Sequence, residues 1–202
     1  MKLLFVLIVL AAVVNSALGQ TQSEVPGAAK CSLTLNQSPT IRGLKLGMDV
    51  EEVLRQFPGS SNDPHIRTAI AWADKQFGVA RFSAPTHQQT SESKFAGISG
   101  LSFEFLDGRL YSLWVQYAGP EWRSVDEFIS RLSEPLNLPG PNSWEPADPS
   151  DQKTLKCVGF EIRVYIGGAS LSSLVLRNPA ADQVVKERQT AEKEKARQAF
   201  KP

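Results

Sequence analysis

Apolar residues recur with the spacing of an α-helix shortly after the start of the globular part of the chain. Four of them fall at i, i+3, i+4 and i+7 and therefore share one helical face: Val50, Val53, Leu54 and Phe57. Asp49 and Glu52 have the spacing of a capping box at its amino end, and Pro58 and Gly59 end the pattern. The pattern predicts a short amphipathic helix that is held in place by packing of its apolar face.

A closely similar segment follows 75 positions later. Ser124 and Glu127 have the same capping spacing, and the apolar face is repeated at Val125, Phe128, Ile129 and Leu132. When the two segments are aligned, Val50 and Glu52 match identical residues, and each apolar position stays apolar. The similarity predicts a repeated unit in which Val53 and Phe128 occupy equivalent buried positions beneath a sheet.

Alternating apolar residues predict the strands that follow each helix. After the first helix we expect strands near 66–73 and 77–82, then a polar linker at 83–97 and a hairpin. One face of the hairpin would carry Leu101, Phe103 and Phe105 together with Tyr111, Leu113 and Val115. We expect a three-residue loop with Gly108 in the left-handed conformation, because a two-residue turn would place Phe103 opposite Ser112.

The second helix is followed by a proline-rich connection and a second predicted hairpin. Its first strand covers 155–166, where Val158, Phe160, Ile162, Val164 and Ile166 alternate with polar or small residues. Gly167 and Gly168 would turn the chain into the next strand. The order predicts an α+β fold: an antiparallel sheet covered on one face by helices, in a tandem helix-then-hairpin repeat.

These patterns divide the chain into five parts. We expect a signal peptide at 1–19, a lead segment at 20–42, a first α+β repeat at 43–118, a second at 119–180, and a charged tail at 181–202. The tail has alternating charges and residues that favour helix, which is typical of a solvated, partly helical extension. The alternative is a docking helix with Val184, Val185 and Phe200 as its apolar contacts.

The amino-terminal segment has the form of a secretory signal. Lys2 precedes an apolar run from Leu3 to Val14, and small residues lie before Gln20. The run is shorter than a membrane span requires, so we expect a secreted or periplasmic protein without a membrane span. Cys31 lies too far from the apolar run to serve as a lipid-anchor cysteine.

The two cysteines of the chain, Cys31 and Cys157, allow one intramolecular disulfide. An oxidising compartment favours that bridge, and the alternative is a pair of buried free thiols. The bridge would close a very long loop, so its removal would be costly.

Charge and composition argue against several function classes. The chain has 22 Lys and Arg against 21 Asp and Glu, and loss of Lys2 with the signal leaves a balanced surface. Such a surface disfavours binding to nucleic acid. His65 and His87 have no second ligand at zinc spacing, and neither a Gly-x-Ser-x-Gly elbow nor a phosphate-binding loop is present. We therefore assign no catalytic residue, metal or cofactor and expect a protein that is not an enzyme.

The opening of the first helix, "LGMDVEEV", followed by Pro-Gly, resembles the BLIP/BamE-like group. This group includes the secreted beta-lactamase inhibitor protein and the small BamE-like lipoproteins of outer-membrane assembly. The resemblance implies a tandem repeat and a role through protein contacts rather than catalysis. The present chain differs from the BamE-like proteins because it has no lipid-anchor cysteine, and no partner-contacting residue can be matched.

Aromatic residues are the candidates for partner binding. Trp114 alternates with the apolar face of the hairpin, so we expect it on the other face of the sheet, with Tyr117 and Trp122 toward the rim. The alternative is that Trp114 packs as an ordinary core residue. We expect a non-catalytic secreted module that binds a protein partner; the alternative is a small-ligand-binding or hydrolase-like domain whose site forms only on folding.

Overall fold

The computed structural model describes residues 31–84, 94–147, 151–167 and 171–200. The predicted signal peptide, the lead segment before Cys31 and most of the predicted linker lie outside the described residues. Seven described strands form one antiparallel sheet in the order β1-β2-β3-β7-β6-β5-β4. Their bounds are β1 Val79–Ser83, β2 Ile98–Leu106, β3 Arg109–Ala118, β4 Glu145–Ala147, β5 Gln152–Lys156, β6 Glu161–Gly167 and β7 Leu171–Arg177.

Four α-helices accompany the sheet: α1 Val50–Leu54, α2 Pro64–Ala71, α3 Val125–Leu136 and α4 Pro179–Ala199. Short 3-10 helices lie at Leu35–Gln37, Ser60–Asn62, Ala73–Gln76 and Pro141–Ser143. The α+β class and the antiparallel sheet are therefore confirmed. The structure does not establish the tandem repeat. α2 precedes β1, but no described α-helix takes the corresponding place after α3, and α4 packs against Val79 and Tyr111 instead of the main core.

Both predicted amphipathic helices form, with the predicted residues at their amino ends. In α1 the Asp49 carboxylate accepts a hydrogen bond from the Glu52 N–H at 2.7 Å, and Glu52 accepts one from the Asp49 N–H at 2.8 Å. In α3 the Ser124 hydroxyl accepts from the Glu127 N–H at 3.2 Å, but Glu127 accepts from the N–H of Arg123 instead of closing the box. The apolar faces of both helices are buried, and they include Val53 and Phe128.

The prediction of a strand at 66–73 is wrong, because this segment forms α2. Asp63 caps the helix by accepting hydrogen bonds from the N–H groups of His65 and Ile66 at 2.8 and 3.2 Å. Pro64 occupies the first helical position, where its missing N–H costs nothing and its fixed φ favours the helix. Together these two residues outweigh the strand preference of the apolar residues that follow.

The predicted three-residue hairpin loop is also wrong, although Phe103 does lie opposite an apolar residue rather than opposite Ser112. Asp107 and Gly108 form a two-residue turn with φ of 49° and 78°, and Phe103 still lies opposite Leu113. A bulge between Glu104 and Phe105 inserts one extra residue into β3 and so restores the apolar pairing. That extra residue is Tyr111, which leaves the predicted apolar face while Leu110 takes its place in the core.

The segment predicted as one strand at 155–166 is two strands. β5 ends at Lys156, and β6 begins at Glu161 directly opposite it. The Cys157 N–H donates to the Phe160 carbonyl at 2.9 Å, and Gly159 has a φ of 86°, which a tight turn requires. Val158 lies in this turn and is exposed rather than part of a strand face.

The main hydrophobic core lies between one face of the sheet and the helices α1 and α3. We call this side of the sheet the inner face. Its strands contribute alternate residues that are fully buried, namely Leu101, Phe103, Phe105, Leu113, Val115, Ile162, Val164, Leu174 and Leu176. Helix packing on the inner face was predicted, but α4 packs on the opposite, outer face.

Cys31 and Cys157 form the predicted disulfide. Their Cα atoms are 4.7 Å apart, within the range that a bridge requires. The bridge joins the segment before the first 3-10 helix to the turn between β5 and β6, where the Val158 N–H also donates to the Leu33 carbonyl at 2.9 Å. Across the described ranges, no helix is long and apolar enough to cross a lipid bilayer.

Candidate binding surface

Helix α4 covers one end of the outer face. Ala181 and Val185 of α4 are buried against Val79 and Tyr111, with Leu106 beside them. Val184 and Phe200, which were proposed as contacts of a docking helix, are exposed. The tail is therefore a helix docked on the chain's own sheet through its first half, and its residues from Thr190 onward are exposed.

A row of charged residues crosses the outer face beside α4. Arg81 pairs with Glu104 at 2.5 Å, and Arg177 approaches Glu104 at 3.9 Å and Asp182 at 3.3 Å. Glu161 lies opposite Arg177 on the next strand. Opposite charges thus alternate across the strands, which leaves this row with its charges already paired within the chain.

Beyond the charged row, the outer face has no helix over it among the described residues. We call this region the Trp114 surface, and it comprises Trp114, Gln116, Tyr165, Leu171, Ser173 and Val175. The strand register makes it continuous, because Trp114 lies opposite Val175 and Ser173 lies between Gln116 and Tyr165. Leu171 is 50% exposed and Tyr165 is 37% exposed, whereas Trp114 is partly buried. These six residues carry no charge, but the exposed Arg163 lies beside Val175 on the same face of the sheet.

Two aromatic rings of this surface lie close to strand glycines. A Cβ atom at Gly100 would be 3.1 Å from Cζ3 of Trp114, and one at Gly167 would be 3.0 Å from a ring carbon of Tyr165. The absence of side chains at these positions lets both rings approach the sheet. Rings supported in this way lose little freedom when a partner packs on them, which favours tight binding.

The structure does not bring Tyr117 and Trp122 together with Trp114. Tyr117 shares the inner face with Leu113 and Val115, and its ring lies 5.7 Å from that of Phe128 on α3. Trp122 also packs on Phe128, at 5.5 Å. Burial raises the pKa of Tyr117 to about 12. Neither residue lies on the Trp114 surface, so the predicted set of three is divided between the two faces.

The sequence reasoning missed Tyr165 and Leu171. Both lie at positions that alternate with the buried residues of β6 and β7, as Trp114 does in β3. The alternation in the sequence predicts that both residues face away from the core. Only the sheet order, in which β7 lies between β3 and β6, shows that they are close to Trp114.

An ion pair holds the middle of α4 to the β2–β3 turn. Arg188 donates two hydrogen bonds to the Asp107 carboxylate, both at 2.7 Å, and a third to the Phe77 carbonyl at 2.9 Å. The hydrogen bonds from Arg188 hold the pKa of Asp107 below its ordinary value. The docking of α4 is thus linked to the ionisation of Asp107.

We expect the docking of α4 to weaken in acid. Because the pKa of folded Asp107 is lowered, its contribution is complete above the ordinary aspartate pKa and is lost as the pH falls through the lowered value. Asp107→Asn, which tolerates the left-handed turn, should mimic the acid state at neutral pH. Hydrogen exchange of the α4 amides should accelerate by up to about fivefold, the range of exposed ion pairs. Unchanged exchange in this variant would contradict the link.

The described residues offer no metal site, since no group of three or more His, Cys, Asp or Glu side chains lies close enough together among them. No protein-family model, curated protein or solved structure gives a significant match to this chain. The BLIP/BamE-like resemblance therefore stays a prediction, and the function must be argued from the surface itself.

Proposed function

We propose that the chain is a secreted or periplasmic, non-catalytic module that binds a protein partner through the Trp114 surface. The observation that carries the proposal is the part of the outer face that α4 leaves uncovered, where Trp114, Tyr165, Val175 and Leu171 lie on neighbouring strands. Single exposed apolar residues are common on proteins, but a continuous patch favours an interaction site. We assign no catalytic residue, metal or cofactor to it.

The chemistry of the surface favours a folded protein over a charged polymer. Its six residues are uncharged, and the neighbouring charges are paired within the chain: Arg81 and Arg177 with Glu104, and Arg163, which lies beside Val175, with Glu161 at 3.8 Å. Aromatic residues in the centre with polar residues between them are typical of protein interfaces. Gln116 and Ser173 supply hydrogen-bonding groups between the two rings. We therefore expect a flat, largely uncharged surface on the partner.

Two further features belong to the proposal. The disulfide and the absence of a spanning helix among the described residues are compatible with export.

A tandem origin is supported by the sheet order. The strands β1, β2 and β3 lie on one side of the boundary between β3 and β7, and the strands β4 to β7 lie on the other. α1 and α3 each precede one of these groups.

Trp114→Ala should weaken binding to the partner by about 2 kcal/mol, or roughly 30-fold, because central aromatic residues dominate interface energies. The free energy of unfolding should fall by only about 1 kcal/mol, since the ring contacts the sheet on one side only. The partner would be recovered from the exported fraction with the mature chain as bait, and its affinity measured by calorimetry.

The matched control is Trp72→Ala. Trp72 is 53% exposed at the end of α2 and lies beside the edge strand β1, which β2 separates from the strand of Trp114. This variant removes an indole of equal size and should leave the affinity unchanged. Equal losses of affinity in both variants, or a large loss of stability with unchanged binding in Trp114→Ala, would contradict the proposal.

A further inference from the structure

A groove opens on the inner side of the sheet, at the carboxyl end of α3. Its volume is about 290 Å³, and its walls are largely apolar: Ile41, Ile98, Leu132, Pro135 and Leu136. Three polar side chains, Thr40, Arg42 and Tyr117, line the same groove. The groove lies on the opposite face from the Trp114 surface, and the protein-binding proposal does not use it.

Arg42 is held at the groove by an unusual backbone conformation. The chain makes a tight turn in which Ile41 and Leu44 exchange two hydrogen bonds of 2.8 and 2.9 Å. Arg42 and Gly43 occupy the turn with φ of 52° and 85°. The left-handed conformation suits Gly43 but is strained for an arginine, and such strain concentrates at functional sites.

The guanidinium of Arg42 is available to an anion. One of its nitrogens donates to the Ala96 carbonyl at 3.3 Å, and no carboxylate of the described residues lies within ion-pair distance. Its planar fork of N–H groups matches the two oxygens of a carboxylate. An arginine beside an apolar groove can therefore bind a ligand that has a charged end and an apolar body.

Tyr117 adds a second donor. Its hydroxyl makes no hydrogen bond within the described part of the chain, although most of the side chain is covered. Burial raises its pKa to about 12, so the hydroxyl keeps its proton at neutral pH. A protonated phenol can donate to a carboxylate oxygen that Arg42 also contacts.

We propose that this groove binds a medium-chain carboxylate, with its hydrocarbon chain along the apolar wall and its carboxylate at Arg42 and Tyr117. The groove is slightly smaller than most ligand pockets, which suits one short chain rather than a large molecule. Among the described residues that line the groove, Arg42 alone is charged. A neutral ligand of the same length would therefore lose the charge-assisted hydrogen bonds to Arg42.

Calorimetry with decanoate and decanol, both below their aggregation limits, tests this inference. The wild-type protein should bind decanoate at least about tenfold more tightly than decanol, because hydrogen bonds to charged groups are strong. Arg42→Gln should weaken decanoate binding by about tenfold, and Tyr117→Phe by about threefold. Neither should change the affinity for decanol.

Three controls keep the result interpretable. Arg42→Gly removes the side chain while relieving the left-handed strain, so it should fold at least as stably as the wild type and still lose decanoate. Arg55→Gln removes an exposed arginine after α1 and should leave binding unchanged. Trp114→Ala should also leave decanoate binding unchanged, which separates this inference from the protein-binding proposal.

Three outcomes would overturn the inference. These are equal affinity for decanoate and decanol, unaltered decanoate binding in Arg42→Gln, and an absence of saturable binding. A fourth outcome, tighter binding of a peptide with a carboxyl-terminal leucine than of decanoate in the same titration, would also overturn it and would assign the groove to the carboxyl terminus of a protein.

Discussion

Replacing both Cys31 and Cys157 with serine should lower the free energy of unfolding by about 4 to 5 kcal/mol, the largest effect expected for any change to this chain. The cysteines are separated by 126 positions, and the entropy that a disulfide removes from the unfolded chain grows with loop length. The bridge also fixes the segment that precedes the first 3-10 helix against the β5–β6 turn.

Denaturant titration of the wild-type and double-serine proteins measures this loss. Mass spectrometry of the non-reduced, alkylated protein should show both thiols blocked, and reduction should free both. Free alkylation of the cysteines in the folded protein, or a double-serine variant within about 1 kcal/mol of the wild type, would contradict this role of the bridge.

Phe128→Ala should lower the free energy of unfolding by about 3 to 4 kcal/mol. The ring of Phe128 is buried and contacts the rings of Tyr117 and Trp122, so its removal leaves a cavity that rigid aromatic neighbours cannot fill. Val53→Ala, at the corresponding position of α1, should cost about 2 kcal/mol because fewer atoms are lost.

The control for Phe128 is Ser130→Ala, which lies on the exposed side of α3 and should change the free energy of unfolding by less than about 0.5 kcal/mol. Thermal unfolding followed by circular dichroism measures all three variants. A loss of less than about 1 kcal/mol in Phe128→Ala would mean that α3 does not pack on the sheet as described.

The helices that the sequence predicts correctly are those with both a cap and an apolar face. Asp49 and Ser124 are followed by helical spacing, and both helices begin where expected, although α1 ends at Leu54, before Phe57. The apolar residues after Asp63 alone predict a strand, but the Asp63-Pro64 pair starts α2 there instead. The register of the hairpin was right, but a bulge at Tyr111 achieves it instead of a longer loop.

The candidate site was predictable only in part. Alternation correctly places Trp114 on the face opposite the core, and the same alternation places Tyr117 with Leu113 and Val115, which the sequence prediction overlooked. Tyr165 becomes a neighbour of this surface only through the order of strands, which is a long-range property. Arg42 could not be predicted, because nothing local marks an arginine that adopts a left-handed conformation.

Site-specific photocrosslinking tests the central claim, recognition through the Trp114 surface, most directly. A photoreactive amino acid would replace Ser173, in the middle of that surface, and in a matched variant Ser130 on the exposed side of α3. Irradiation in the exported fraction should give one discrete adduct with another protein from position 173 and none from position 130. The adduct should disappear when Trp114→Ala is added. No adduct from position 173, an equal adduct from position 130, an adduct between two copies of this chain, or one that survives Trp114→Ala would contradict the claim.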